Sequence, residues 1–473
     1  MNKASFTKTK IICTIGPATS SIEHIIKLAR AGMNVARLNF SHGTHEEHKQ
    51  YIGNIRIASK KLGCHIPIFA DLSGPKLRIG NIEKEFEVVR DDMLIITTES
   101  IIGSRKKISI SYSKLPQDVK EGDVIFIDDG YISLEVKDII GNEVHCIVTN
   151  GGIIRSRKGV NLPGVKISTP TITEKDMKDI DFALQQDIDF FALSFVRSYH
   201  DIDALREILL QKNAHNPIIA KIEKPEAIED IDEIISHSDA VMIARGDLGV
   251  EMPTEEVPLL QKRIIEKCQN ASTPVITATQ MLESMVENSL PTRAEASDVA
   301  NAVFDGTDAV MLSAETSIGK HPEAAVAMMK KIVFRSEREC NPNPELFSSS
   351  FRTSQFAIDL SKAACAIAQD TNAAAIFAIT KTGRTARHLS KFRVNTPIYA
   401  FTENERTMNF LQLVWGVSCY YLKNLEETDS TLHKVKEFAI EQHLIEKDSI
   451  MVFVAGIPLQ TSTEVNMIKL DKV

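Results

Sequence analysis

Two short apolar runs between residues 217 and 251 each end on charged groups whose types suit a metal ion and a phosphate. The first, IIAKIEKPE, sets Lys221 and Glu223 two residues apart, on one face of a strand. The second, AVMIARGDLGVE, ends on Ala244, Arg245, Gly246 and Asp247. Two carboxylates and one ammonium at neighbouring strand ends can hold a hard divalent cation and face a phosphoryl group. An isolated Lys-x-Glu is ordinarily a surface ion pair, but Arg-Gly-Asp-Leu-Gly is a poor structural ending. Gly246 and Gly249 add no packing there, and their use would be to let backbone N–H groups approach an anion.

Positioning such groups takes a scaffold of strands, and the chain supplies one. Residues 8–73 alternate strand and helix patterns, with Ser20 and Glu23 expected to form a capping box and Gly32 to stop the first helix. The alternation breaks at Gly74-Pro75 and resumes near Thr169-Pro170. Between them lie strand patterns with turn signals at Asp129-Gly130 and Gly141-Asn142, which read as a β-rich lid on two hinges. Five more strand–helix units follow, one opened by a Thr292–Glu295 capping box, making eight in all. Eight alternating units predict a (β/α)8 barrel with its site at the C-terminal strand ends. The proline- and serine-rich stretch at 341–351 marks a boundary, and strands alternating with helices beyond it predict a three-layer α/β domain. The expected division is therefore 1–73 with 170–340 as barrel, 74–169 as lid and 341–473 as the C-terminal domain.

A barrel should carry polar groups at its other strand ends, and it does. Strand two ends on Arg37, Asn39, Ser41 and His42, strand three on Asp71, Leu72 and Ser73, strand four on Ser194 and Arg197, and strand seven on Thr279 and Gln280. Composition narrows the partners. A net charge of −8 without a basic stripe argues against nucleic acid. No apolar leader and no run near the ~20 residues a bilayer needs argue against a membrane and for a cytoplasmic protein. The 7 cysteines are scattered without C-x-x-C spacing, which indicates neither a disulfide framework nor zinc.

The segments NVARLNFSHG, ADLSGPKLR, KGVNLPG, KIEKPEAI, ARGDLGVE, TATQMLESM and PTRAEASDVANAV, followed by DGTDAVMLSAET, are long, ordered and specific. Through them the chain resembles the pyruvate kinases over essentially its whole length. The resemblance implies phosphoryl transfer from phosphoenolpyruvate to ADP, giving ATP and an enolate that is protonated to pyruvate. It implies Arg37 and Lys221 on the phosphate, and Mg2+, with Mn2+ as a substitute, on Glu223 and Asp247. The backbone of residues 244–247 would take the substrate carboxylate, and Thr279 would lie at the face where the enolate carbon is protonated. A hydroxyl merely serving its own strand end is the plainer reading of Thr279. Asn39, His42, Arg78 and Lys158 are the implied nucleotide contacts.

Lys76 stands where potassium-activated relatives carry an acidic residue, and Leu72 replaces a threonine, as in the family's potassium-independent branch. Its ammonium, reaching the pocket of Asn39, Ser41 and Asp71, would do the work of the monovalent cation, so potassium is not expected to be required. In the C-terminal domain, Thr380, Lys381, Thr382, Gly383, Arg384 and Thr385 join a strand to a helix N-terminus, a setting suited to a phosphate. The resemblance implies a sugar-phosphate or nucleotide effector there, and a homotetramer with Arg293 near one interface. Segment 455–467 has no Lys or Arg, so a second phosphate would lack a partner. Two other readings are another Mg2+-dependent barrel that handles phosphoenolpyruvate or pyruvate, and a non-catalytic sugar-phosphate sensor.

Overall fold

A computed structural model describes residues 7–340, 355–425, 427–459, 461–462 and 464–472; the expected boundary at 341–351 lies outside them. Eight parallel strands close into a barrel in chain order: Lys10–Thr14, Val35–Asn39, Ile68–Asp71, Phe190–Leu193, Ile218–Ile222, Ala240–Ala244, Val275–Ala278 and Ala309–Leu312. Every residue of the last six is buried or nearly so, which explains why they read as continuous apolar runs without alternation. Inside the barrel, Ile12, Val35, Phe69, Phe190, Ile219, Met242 and Ile276 form one cluster; a second, larger one fills the space between strands and helices.

A repeated device closes the N-terminal end of the barrel. The residue just before each even strand bonds the backbone N–H of the odd strand before it. Asn34 Oδ1 accepts from Ile11 N at 2.8 Å, Asp189 Oδ2 from Ile68 N at 2.8 Å, Asp239 Oδ2 from Ile218 N at 2.9 Å and Asp308 Oδ2 from Val275 N at 3.0 Å. Each aspartate is also paired with an arginine: Arg56, Arg206 and Arg393 respectively. Strand-end donors that the ladder cannot satisfy are thus met by side chains.

The segment after strand three leaves the barrel and forms a six-stranded sheet whose long central hairpin, Ile132–Ile140 with Glu143–Asn150, turns at Gly141-Asn142 as expected. Its apolar core is separate from that of the barrel. The strands Phe86–Val88, Gly152–Ile154 and Val160–Asn161 are too short to show a pattern in the sequence, and Met93–Thr97 is a further strand beyond those expected, although its run MLIIT is apolar and uncharged. At the first hinge Gly74 has φ of 60°, and a Cβ there would fall 2.7 Å from the ring of Phe195, so only glycine fits. At the second, Arg197 bonds Ile167 O, Thr169 O and Thr171 Oγ1, clamping the returning chain.

The C-terminal sheet runs Val417–Tyr421, Ile398–Thr402, Ala375–Ile379, Ile450–Ala455 and Met467–Lys472, with separate apolar clusters on its two faces. The last strand is antiparallel and is a further strand beyond those expected, although Ile468-Lys469-Leu470-Asp471 alternates apolar and polar residues. This domain docks on the N-terminal end of the barrel through Arg393 to Asp308, Asn409 to Asp189 and Lys391 to Asn270 O. One local expectation is corrected. The first helix, Ile22–Ala31, is capped by Ser21, whose hydroxyl accepts from His24 N, while Ser20 turns back toward Pro17 O. The Thr292–Glu295 capping box forms as expected. Among the described residues no helix is long and apolar enough to cross a membrane.

Candidate active site

Strand pairing sets the ends of strands two to six side by side at one mouth of the barrel, and Asp71 is the hub. Its Oδ2 accepts from Arg37 Nε at 2.7 Å and lies 2.7 Å from Arg37 Nη2. Its Oδ1 lies 3.0 Å from Lys221 Nζ, which also meets Glu223 Oε1 at 2.9 Å and donates to Ser194 Oγ at 2.7 Å. Lys221 and Glu223 therefore share a face, as the strand period required. All these groups are buried.

Burial and charge compete at each member. Burial would lower the Lys221 ammonium, but Asp71 and Glu223 outweigh it and raise its pKa, so it stays charged. Burial would raise Asp71, yet Lys221 and Arg37 hold its carboxyl below the usual range. Glu223 goes the other way: burial first, then the nearby Asp247, push it up despite Lys221. Asp247 is half-buried on the wall of the cleft, and among the described residues no hydrogen bond or ion pair reaches its side chain. The pair Glu223 and Asp247 is thus short of positive charge, and a divalent cation would supply it.

Strands six and seven meet through less expected contacts. Thr279 and Gln280 have φ of 67° and 52°, and Phe195 has 56°, a cluster of left-handed residues at strand ends. Such backbone persists only where its surroundings impose it. Arg245 does so here: Nη2 donates to Thr279 O at 2.8 Å and Gln280 O at 3.2 Å, and Nη1 pairs with Asp298 at 2.8 Å. Its side chain therefore braces the Thr279 turn. The Gly246 N–H, expected to be open to an anion, donates to Thr279 Oγ1 at 2.7 Å, and that hydroxyl donates to Ala278 O. Gly246 permits this close approach, whereas Gly249 has room for a Cβ and its expected role has no support in the geometry.

Lid and barrel meet across a cleft lined by Lys76, Leu77, Asp129, Asn161, Phe195, Lys224 and Asp247, among others. The pKa of His42 is lowered by burial and then by Arg78, Lys76, Arg37 and Lys175, so four cations act on a neutral imidazole. Lys76 is exposed and makes no hydrogen bond to Asn39, Ser41 or Asp71; Asn39 Oδ1 instead accepts from Ser41 N. Lys158 pairs with Asp128, and Arg78 donates to Arg157 O, both within the lid. Leu72 is buried.

Residues 6–326 match the family described as "Pyruvate kinase, barrel domain", and residues 359–470 match "Pyruvate kinase, alpha/beta domain". The chain belongs to the pyruvate kinase family. It is 46% identical over 468 residues to the pyruvate kinase of Geobacillus stearothermophilus, covering 98% of this chain and 80% of that one. It is 44% identical over 475 residues to that of Staphylococcus aureus strain MRSA252, with the same coverage. The crystal structure of a pyruvate kinase from Cryptosporidium parvum superposes with a TM-score of 0.92 at 40% identity, covering 98% of this chain and 96% of that chain. The protein is a phosphotransferase that converts phosphoenolpyruvate and ADP to pyruvate and ATP, and the readings as another barrel enzyme or a non-catalytic sensor fall away.

The loop at residues 380–385 is held by a hydroxyl of its own and by one from the helix Glu405–Phe410. Thr380 Oγ1 accepts from Gly383 N at 2.9 Å and Thr407 Oγ1 donates to Lys381 O at 2.9 Å. Thr382 and Arg384 are exposed while Thr385 is buried in the first turn of the helix Arg384–Lys391, so the threonines of this loop differ in their access to a phosphate. Sequence reasoning also missed Glu251, Lys224 and Asn161. Lys224 and Glu251 stand inside the KIEKPE and RGDLGVE segments, but nothing in their spacing shows that the lid meets them.

Proposed function

We propose that Lys221 and Arg37 carry the phosphoryl transfer, with Asp71 holding both cations in place. The observation that carries this reading is the Lys221 ammonium set between Asp71 and Glu223, next to Asp247. A transferring phosphoryl spreads negative charge over its oxygens and chiefly needs fixed cations around it. Lys221 has three N–H groups and all three have partners, so the substrate phosphate takes over one of those bonds. Arg37 keeps N–H groups beyond those given to Asp71 and Thr14 for a fork on the phosphate.

Glu223 and Asp247 would hold Mg2+, or Mn2+ in its place, and one or two carboxylates with waters and substrate oxygens match the ligand set of this ion. Bound there, the ion supplies Lewis-acid stabilisation of the charge on substrate oxygens. The backbone of residues 244–247 receives the substrate carboxylate, for which Gly246 N–H must give up its bond to Thr279 Oγ1, and Thr279, held by Arg245, positions the face at which the enolate is protonated through water. Asn39, His42, Arg78 and Lys158 accompany the nucleotide under the lid.

Lys76 lies on the cleft wall close enough to depress His42, and its charge makes potassium dispensable. A phosphate-bearing effector at residues 380–385 and a cytoplasmic homotetramer complete the reading. Mn2+ binding followed by electron paramagnetic resonance tests the metal pair. Asp247→Ala is expected to weaken Mn2+ binding at least tenfold in the presence of phosphoenolpyruvate, and unchanged affinity would remove Asp247 from the ligand set.

A further inference from the structure

Glu251 closes the helix Arg245–Glu251 that begins at the strand-six site, and its side chain is almost wholly buried. One oxygen, Oε1, has two partners from different parts of the molecule. Lys224 Nζ, from just beyond barrel strand five, lies 2.5 Å away, and Asn161 Nδ2, from the lid, donates to it at 2.9 Å. Oε2 is buried without a hydrogen-bond partner. A second lid segment reaches the same helix: a Cβ on Gly130 would stand 3.9 Å from Val250. Lys224 and Asn161 both line the cleft, and Lys224 lies 5.9 Å from the centre of the Phe195 ring at the first hinge.

Burying a carboxylate with one oxygen unsatisfied is costly, and the pair is kept in place only while its remaining partners are. Opening the lid takes Asn161 away and leaves the carboxylate with Lys224 alone. Closing the lid restores a charge-assisted hydrogen bond, stronger than one between neutral groups. We propose that Glu251 is a positioning residue of the transfer reaction, joining the lid's Asn161 to the barrel's Lys224 and so holding the lid shut over ADP. This rests on the cleft being the nucleotide site proposed above. The latch answers a need of the chemistry, because phosphoryl transfer to ADP requires water to be kept from the reacting phosphate. It also links closure to the helix that carries Asp247, four residues before Glu251.

The test combines hydrogen exchange of residues 75–168 with steady-state kinetics in Asn161→Ala, Lys224→Met and the double variant, all in the full-length enzyme. Asn161→Ala is expected to speed amide exchange in the lid strands Val124–Ile127 and Val160–Asn161. It should raise the KM for ADP about tenfold and lower kcat by much less, as expected for a lost charge-assisted bond that acts on binding. Lys224→Met should act in the same direction, and the double variant should be little worse than the more affected single one, because both act through one carboxylate. Additive effects, or an Asn161→Ala enzyme with unchanged lid exchange and KM, would overturn the latch. Exchange is read without nucleotide, so a failed latch leaves lid exchange unchanged, whereas a misplaced nucleotide site leaves exchange faster with the KM for ADP unchanged. Should Lys224→Met not fold, Asn161→Ala decides alone, since Asn161 is half-buried at the lid edge.

Discussion

The two ends of the barrel use the same residue types to opposite effect. Lys10 and Lys221 are both buried barrel-strand lysines. At the N-terminal end burial dominates, and Lys10 is lowered to about 8 despite Glu337 and Asp308, its ammonium spent on Val417 O. At the C-terminal end Asp71 and Glu223 overcome burial and raise Lys221. The carboxylates differ likewise. Asp189, Asp239 and Asp308 each cap a strand N–H and pair with an arginine, so their charges are consumed in holding elements together. Glu223 and Asp247 crowd each other, and Asp247 has no protein partner among the described residues. At the end that stabilises the barrel the carboxylates are consumed in caps and ion pairs, whereas at the other mouth one carboxylate, Asp247, is left without a protein partner among the described residues.

If that division holds, substitutions at the two ends should separate stability from turnover. The largest loss of stability is expected from Asp308→Ala, which strips a cap from Val275 N, a hydrogen bond from Trp415 N and the buried partner from Arg393. About 3 kcal/mol should be lost in denaturant unfolding. Turnover measured well below the unfolding temperature should stay within about twofold of wild type. A stable Asp308→Ala enzyme with impaired turnover would break the comparison.

A smaller effect, confined to activity, is expected at Lys76. Wild type should run at nearly the same rate in sodium-only, potassium-only and monovalent-cation-free buffers of matched ionic strength. Lys76→Glu should lose activity without potassium and regain part of it on its addition, because the new carboxylate needs a cation beside it. Recovery should be partial, since Leu72 offers no hydroxyl. Stimulation of wild type by about tenfold or more would refute the substitution of ammonium for potassium.

The barrel was legible because its helices are amphipathic, its strands are apolar runs of four or five, and each unit carries its own start and stop signals. The grouping of Lys221, Glu223, Arg37 and Asp71 was legible because a strand's period of two and a barrel's strand ends fix where they lie. Harder to see was how their charges are divided. Nothing in the spacing of Arg245 shows that its guanidinium braces Thr279, and Gly246 looked like an open anion contact although its N–H is taken by a hydroxyl 33 residues away. The Asn34, Asp189, Asp239 and Asp308 caps do recur immediately before alternate strands in the sequence. They pass for ordinary loop polars until the barrel closes and brings each to its neighbour's N–H. The Asn161–Glu251–Lys224 junction depends on how the lid folds down, and no local pattern encodes that.

The central claim is that Lys221 acts as a fixed charge on the transferring phosphoryl group, so the most direct test is ADP-dependent pyruvate formation by Lys221→Met. Methionine keeps much of the volume and removes the charge, leaving Asp71 with Arg37. Turnover is expected to fall by about three orders of magnitude or more, while phosphoenolpyruvate binding changes by no more than about tenfold, because the charge acts mainly on the transition state. A folded Lys221→Met enzyme with near-normal turnover would contradict the account.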